Sequence, residues 1–459
     1  MRSLRFIDTR LIPLFKRVLA HVGFVFVLLL TSMDAVAAAG AADNGQLIEL
    51  TIASPFHRVY FLPDSRLNEV QVGVVILAGE VDFDGPEGLS HYLEHLMFWH
   101  ADKVDDQALH ARGGNAWVNG IITNYYNSGS ESDLDDLFEF ARRLFTQPAL
   151  DNRFMLDERK VVSREYDLRV SESPEWRVFT ELRRDLYNHH PVARSVIGTP
   201  KSIMSLTIDD AREFHSQYYQ PANAVLLVTG NVAKDVVLKK IQNTFSDLPA
   251  GVLHEQQWRN AFVPGSLRQT EIHADRQVNH DRLGITSLTR WSGSGDRTQD
   301  VYTAQLLQNI LQSALPGSLA KPLRIDNFIV RQYELNIFKL LAEQVEMQFW
   351  ASPDAGVTTE RAAAEVEAAL LSLAEAGVPV KTLERTRKRW LQTEKRLSKN
   401  AGSTLFRAYQ HLSLGIAPNN VDDHLQRIAR ISEEDVNTLL RALAKPDRRV
   451  TGYITGTGE

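Results

Sequence analysis

The residues best able to do chemistry sit together at His91-Tyr92-Leu93-Glu94-His95. On a helix, His91 and His95 stand one turn apart on one face, and two imidazoles at that spacing can share a divalent ion. Glu94, three residues after His91, lies beside the same face. Its carboxylate is suited to accept a proton from a water that such an ion activates. The run Asp84-Gly85-Pro86-Glu87-Gly88-Leu89-Ser90 just before it is a break from which a helix can start. Catalytic zinc normally has three protein ligands and one open position, so one more ligand must come from elsewhere. The segment Asp157 to Val170 offers Glu158 and Glu165, seven residues apart, which two helical turns bring to one side. Spacing alone leaves open whether these acids reach the histidines or form the solvated face of an amphipathic helix.

Composition narrows the alternatives. The chain has 459 residues, 44% hydrophobic and 24% charged, enough apolar material for two or three packed domains. It has no cysteine, which excludes disulfides, thiolate metal sites, iron–sulfur clusters and cysteine nucleophiles. A metal must therefore be held by His, Asp or Glu. A formal charge of −6 offers no basic footprint, so no nucleic-acid partner is expected. No phosphate-binding loop, dinucleotide fingerprint or serine elbow supports a rival chemistry.

The elements that must position the motif follow from the rest of the chain. Residues 1–42 read as an export signal: Arg2, Arg5, Arg10, Lys16 and Arg17, then an uncharged apolar run, then Ala35-Val36-Ala37. The expectation is an exported, periplasmic protein cleaved between about Ala37 and Ala42; an uncleaved membrane anchor is the alternative. The remainder divides into two similar halves. Leu206 to Asn231 and Ile431 to Gly456 share a pattern: a helix capped by Thr207 or Ser432, a proline (Pro221, Pro446), then a β-rich strand ending at Gly230 or Gly456. This predicts an α+β fold of two homologous domains, 43–247 and 269–459, joined by a Pro- and Gly-containing linker at 248–268. Each is expected to pack a mostly antiparallel sheet with helices, the halves facing across a central cleft. His100 and His110, flanking the motif, are expected to be exposed.

The motif and its spacing resemble those of the pitrilysin and mitochondrial processing peptidase family, the inverted zincins. The match continues in Glu158-Arg159-Lys160-Val161-Val162-Ser163-Arg164-Glu165, which resembles the family phrase E-x-x-V-V-x-x-E and ends at Glu165, at the family's distance from His95. The resemblance implies one Zn2+ held by His91, His95 and Glu165, with Glu94 as general base and Glu158 as the acid that orients a ligand. Gly113-Gly114-Asn115-Ala116 resembles an element of an edge strand, implying that Asn115 and Ala116 bind extended peptide substrate. In the second half Arg324 and Tyr333 stand nearest to the family's substrate-contacting Arg and Tyr, though a glycine is missing and the spacing is longer. The implied activity is a zinc endopeptidase acting on extended or unfolded peptides. The implied partners are a second copy or a related subunit that supplies the substrate-contacting pair. The alternative is a non-catalytic or partner-dependent scaffold of the same fold.

Overall fold

The computed structural model describes residues 45–456, apart from 105–106, 109–112, 150 and 276–277. The export segment expected at 1–42 lies outside the described residues, as does His110. Among them, no helix is long and apolar enough to cross a membrane.

Two sheets organise the chain. The first joins β1 (Ile48–Glu49), β2 (Arg58–Pro63), β3 (Val70–Ile76), β6 (Asn115–Val118), β7 (Thr123–Gly129) and β8 (Ala224–Gly230) in the order β1-β2-β8-β3-β7-β6. A two-stranded pair, β4 (Lys103–Val104) and β5 (Gln107–Ala108), stands apart from it. The second sheet joins β9 (Leu267–Asp275), β10 (Arg282–Arg290), β11 (Val330–Phe338), β12 (Gln344–Pro353) and β13 (Arg448–Gly456) in the order β11-β12-β10-β13-β9. Reading the first sheet from β2 and the second from β9, the strands correspond one to one. β2 runs parallel to β8 and β9 parallel to β13, while the other pairings of both series are antiparallel. The chain is thus two copies of one mixed α/β unit, the fold class read from the sequence. Strand composition follows position. β8, AVLLVTG, is buried at every residue because it lies inside its sheet with both faces covered. β9, at an edge, alternates half-buried and exposed residues.

The helices used below are α1 (Leu89–Asp102), α2 (Asn152–Tyr166), α3 (Pro174–Tyr187), α4 (Ile208–Tyr218), α5 (Arg297–Leu311), α6 (Ala401–Ser413) and α7 (Glu433–Ala444). The caps expected at α4 and α7 are formed. Thr207 Oγ1 accepts from Asp210 N at 3.0 Å and Ser432 Oγ from Asp435 N at 3.1 Å, while each aspartate accepts from the cap residue's own N–H. Both arrangements satisfy two orphan donors of a first turn at once. Between the halves, residues 248–266 carry one 3-10 turn, Gln257–Asn260, and the next strand starts at Leu267.

Each half has its own apolar core, and a third apolar cluster joins them. It combines Tyr60, Val75, Val225 and Leu227 of the first sheet with Leu288, Val450 and Ile454 of the second. Helices α3 and α6 contribute Val178, Leu182, Leu186, Ala408 and Leu412. Although α3 precedes the linker in sequence, it is seated on the second sheet. A Cβ added at Gly452 of β13 would meet Val178 at 3.0 Å and Leu182 at 3.1 Å, so a glycine there permits the close approach. The same helix sends Arg183 to Glu346 of β12 at 3.0 Å, a buried pair to which Tyr187 adds its hydroxyl at 2.7 Å.

Candidate metal centre

The motif lies in the first turns of α1, whose rotation is set by an apolar stripe. Leu89, Tyr92, Leu93, Leu96 and Met97 recur at helical spacing and are buried in the first core. Burying each contributes roughly 1.5–3 kcal/mol, and together they leave His91, Glu94 and His95 on the opposite flank. The start of the helix is fixed by a buried carboxylate that sequence reasoning did not single out. Glu80 accepts from Gly88 N at 3.1 Å, from Ser90 N at 3.3 Å and from Ser90 Oγ at 2.7 Å, and pairs with Arg194 at 3.0 Å. Burial pushes its carboxyl up to about 7 against the pull of Arg194 and these donors. Gly88 has φ +91, and a Cβ there would meet Ile197 O at 3.1 Å, so the chain enters the helix only through glycine.

The two rings meet edge to face with centroids 4.8 Å apart. Helix α2 brings both glutamates to them. Glu165 Oε2 lies 3.3 Å from His91 Nε2 and 3.4 Å from His95 Nε2. Ligand atoms of His91, His95 and Glu165 all fall within 4.8 Å of one another. Glu158 takes the other nitrogen of His95, with Nδ1 to Oε1 at 2.8 Å, which orients the ring and turns Nε2 toward Glu165. Tyr92 ties α1 to α2 directly, its hydroxyl donating to Met155 O at 2.6 Å. Glu94 approaches His91 Nε2 at 3.9 Å. Arg169, four residues past Glu165, pairs with the remaining carboxylate oxygen Oε1 and leaves Oε2 to face the rings.

The electrostatics follow from this packing. Glu94 is buried and its pKa is raised, burial outweighing the neighbouring histidines while Glu165 adds repulsion. Burial disfavours the charge of His95, yet Glu158, Glu165 and Glu94 outweigh it and push the imidazole up to about 10. Burial also opposes the charge of Glu165, but hydrogen bonds from His91 and His95 and the charge of Arg169 hold it well below the carboxylate range. The surroundings thus oppose an acid to two imidazoles around one point. Two ring nitrogens and a carboxylate oxygen are a donor set that fits zinc. Nδ1 of His91 is buried with no hydrogen-bond partner among the described residues.

The remaining expected residues lie elsewhere. Asn115 and Ala116 are on β6, the open edge of the first sheet, alongside α1. Tyr333 stacks on Phe349 at 5.3 Å and gives its hydroxyl to Leu311 O at 2.6 Å, while Arg324 is exposed on the π-turn Lys321–Asp326. Neither joins the metal group. His100 corrects an expectation: it is buried, its Nε2 bonding Thr146 Oγ1 at 2.9 Å and its Nδ1 accepting from Ala149 N at 3.3 Å. It closes the turn after the helix Leu134–Arg143. A second group, Glu181, Glu271 and His273, also brings ligand atoms within 4.8 Å, but His273 divides its two nitrogens between the two acids. It is a polar seam between α3 and β9.

Two family models match the chain. The one described as Insulinase (Peptidase family M16) covers residues 59–200, which include His91, Glu94, His95, Glu158 and Glu165, and the Peptidase M16 inactive domain covers 205–390. The chain belongs to peptidase family M16. It is similar to zinc protease PqqE of Helicobacter pylori, 31% identical over 193 residues, spanning 40% of this chain and 43% of that protein. This chain spans 43 to 64% of the length of PqqE and of two other curated relatives, from Bacillus subtilis and Mycobacterium bovis. Among solved structures, a protease from Helicobacter pylori shares the fold with a TM-score of 0.74 at 20% identity, over 89% of this chain and 99% of that one. Pitrilysin shares it with a TM-score of 0.68 at 17% identity, over 87% of this chain and 44% of that one. These likenesses show the fold; the site rests on the geometry above.

Proposed function

We propose that this M16 chain is an exported zinc endopeptidase that hydrolyses extended or unfolded peptides, with Glu94 as general base. One observation carries the reading: His91, His95 and Glu165 converge on one point with Glu94 beside it. A bound zinc ion would polarise the scissile carbonyl and lower the pKa of a water molecule. His91 and His95 would hold it through Nε2 and Glu165 through Oε2, with Glu158 fixing the ring of His95. Glu94, lifted above an ordinary carboxylate, takes the proton from the attacking water and passes it to the leaving amine. Its burial keeps competing solvent away. The peptide would lie along β6 near Asn115 and Ala116, adding a strand through main-chain bonds. Such binding reads extension more than sequence.

The deciding experiment is cleavage of a quenched, unstructured peptide by the full chain, with zinc content measured alongside. Glu94→Gln is expected to keep the metal and lose about 10²–10⁴-fold in turnover, and a chelator to abolish it. A Glu94→Gln chain that cleaves like the parent would falsify the assignment. The second reading, a chain that needs a related subunit, is favoured by Tyr333, whose hydroxyl is spent on Leu311 O. Zinc bound without cleavage, with activity restored by a second M16 chain, would select it.

A further inference from the structure

The third ligand lies at a junction between the halves. His91 and His95 are on α1, packed on the first sheet, and Glu158 near the middle of α2 is bonded to His95. Glu165 is the second-last residue of α2. The chain passes from there without a break into a π-turn, Asp167–Ser171, closed by Glu172 N to Asp167 O at 3.2 Å. Arg169 sits on that turn and holds the carboxylate of Glu165. The next element is α3, which rests on the second sheet. π-turns are rare, and they occur frequently at functional sites.

Arg177 of α3 contacts this π-turn. Its guanidinium donates to Val170 O at 3.4 Å and to Ser171 O, two carbonyls of the π-turn, and it pairs with Asp275 at the end of β9. Both side chains are partly shielded, 31% and 17% exposed. Three bonds from one planar fork therefore tie the turn that carries Arg169 to the edge strand of the second sheet. Asp275 is one of a row of inward polar residues on β9; Gln269 reaches Asp185 at 2.5 Å and His273 faces Glu181 at 3.6 Å, so α3 and β9 are joined along their length.

We propose that Arg177 and Asp275 are positioning residues through which the second half, which donates no ligand, sets the place of Glu165 and hence the zinc affinity. The proposal rests on the zinc reading above. The test uses the full chain with zinc as probe. Zinc affinity is measured by competition with a chelator, and amide exchange of residues 166–173 is measured in the metal-free chain. Asp275→Asn is expected to weaken zinc binding about 10–100-fold and to speed exchange in the π-turn. Arg282→Gln, which removes the Glu175–Arg282 pair between α3 and β10 but touches no π-turn residue, should change neither. Parent-like affinity and exchange in Asp275→Asn would overturn the proposal. Should that variant not fold, Arg177→Lys decides, because a point-like ammonium lacks the planar fork whose two nitrogens reach the carbonyls and the carboxylate separately; parent-like values there overturn it equally. A parent chain that binds no zinc defeats the peptidase reading at the outset, while the metal-free exchange still judges the clamp.

Discussion

Helix α1 and helix α5 occupy corresponding places in two copies of one scaffold, yet their polar faces do opposite things. Counted from the first residue of each helix, Gln299, Tyr302 and Thr303 stand where His91, Glu94 and His95 do. In α5 these groups find partners nearby. Gln299 donates to Arg427 O at 3.0 Å, Thr303 to Gln299 O at 3.1 Å, and Tyr302 bonds His424 Nδ1 at 2.6 Å, whose Nε2 meets Glu394 at 3.0 Å. In α1 two ring nitrogens are instead aimed at one point, with a second helix supplying the acid. The strand order is common to both halves, so the fold does not dictate the chemistry. The difference lies in whether a helix's polar flank closes on itself or converges on a shared centre.

That contrast can be broken experimentally, starting where the effect is greatest. Glu165→Ala removes the proposed third ligand from the convergent side. Zinc affinity should drop by more than the ~10–100-fold expected of an outer partner, and peptide cleavage should vanish with it. Isothermal titration with zinc, followed by the peptide assay, checks both; unchanged affinity would place the centre elsewhere. Glu158→Gln removes only the acid behind His95. It should weaken zinc by about 10–100-fold while leaving the melting temperature of the metal-free chain near the parent's.

On the self-closed side, Tyr302→Phe deprives His424 Nδ1 of its partner. Denaturant unfolding should show a loss of about 1–3 kcal/mol, with zinc content unaltered. A loss of metal in this variant would mean that the two sides are not independent.

The gentlest probe is pH. Burial lowers His100 and His215 to about 4, with Arg143 adding to the effect at His100 and the carbonyl of Leu144 opposing it at His215. Both rings stay neutral in the folded chain and take up protons in the unfolded chain below about 6.5. Stability should therefore decline as pH falls from 6.5 through 4. His215→Gln should flatten that decline in a series of thermal melts, whereas an unaltered slope would remove His215 as its source.

Local features of this molecule were legible in the sequence because they depend on neighbours along the chain. The caps at Thr207 and Ser432 follow from residues three apart, and the face shared by His91 and His95 from helical spacing. The duplication was visible at α4–β8 and α7–β13, where cap, proline and strand recur together. Glu165 was reached only through likeness to a family, since nothing in its spacing says that α2 packs beside α1. Arg169 could have been noticed: it lies four residues past Glu165 in an unbroken helical pattern, the distance of an ion pair. Glu80 and the burial of His100 had no local sign. Glu80 is eight residues ahead of Gly88 across a loop, and His100 is covered by a turn 46 residues away. The seating of α3 on the second sheet, although the helix precedes the linker, is equally non-local. It depends on Gly452, 270 residues after Leu182.

The buried contact of Arg183 and Tyr187 with Glu346 reaches beyond the site. Pulling the halves apart would break this buried contact and expose the apolar layer around it, Val178, Leu182, Leu288 and Val450 among it, to water. A protease that nicks the strip between Leu248 and Ser266 should therefore yield two fragments that travel together, still folded, on a sizing column.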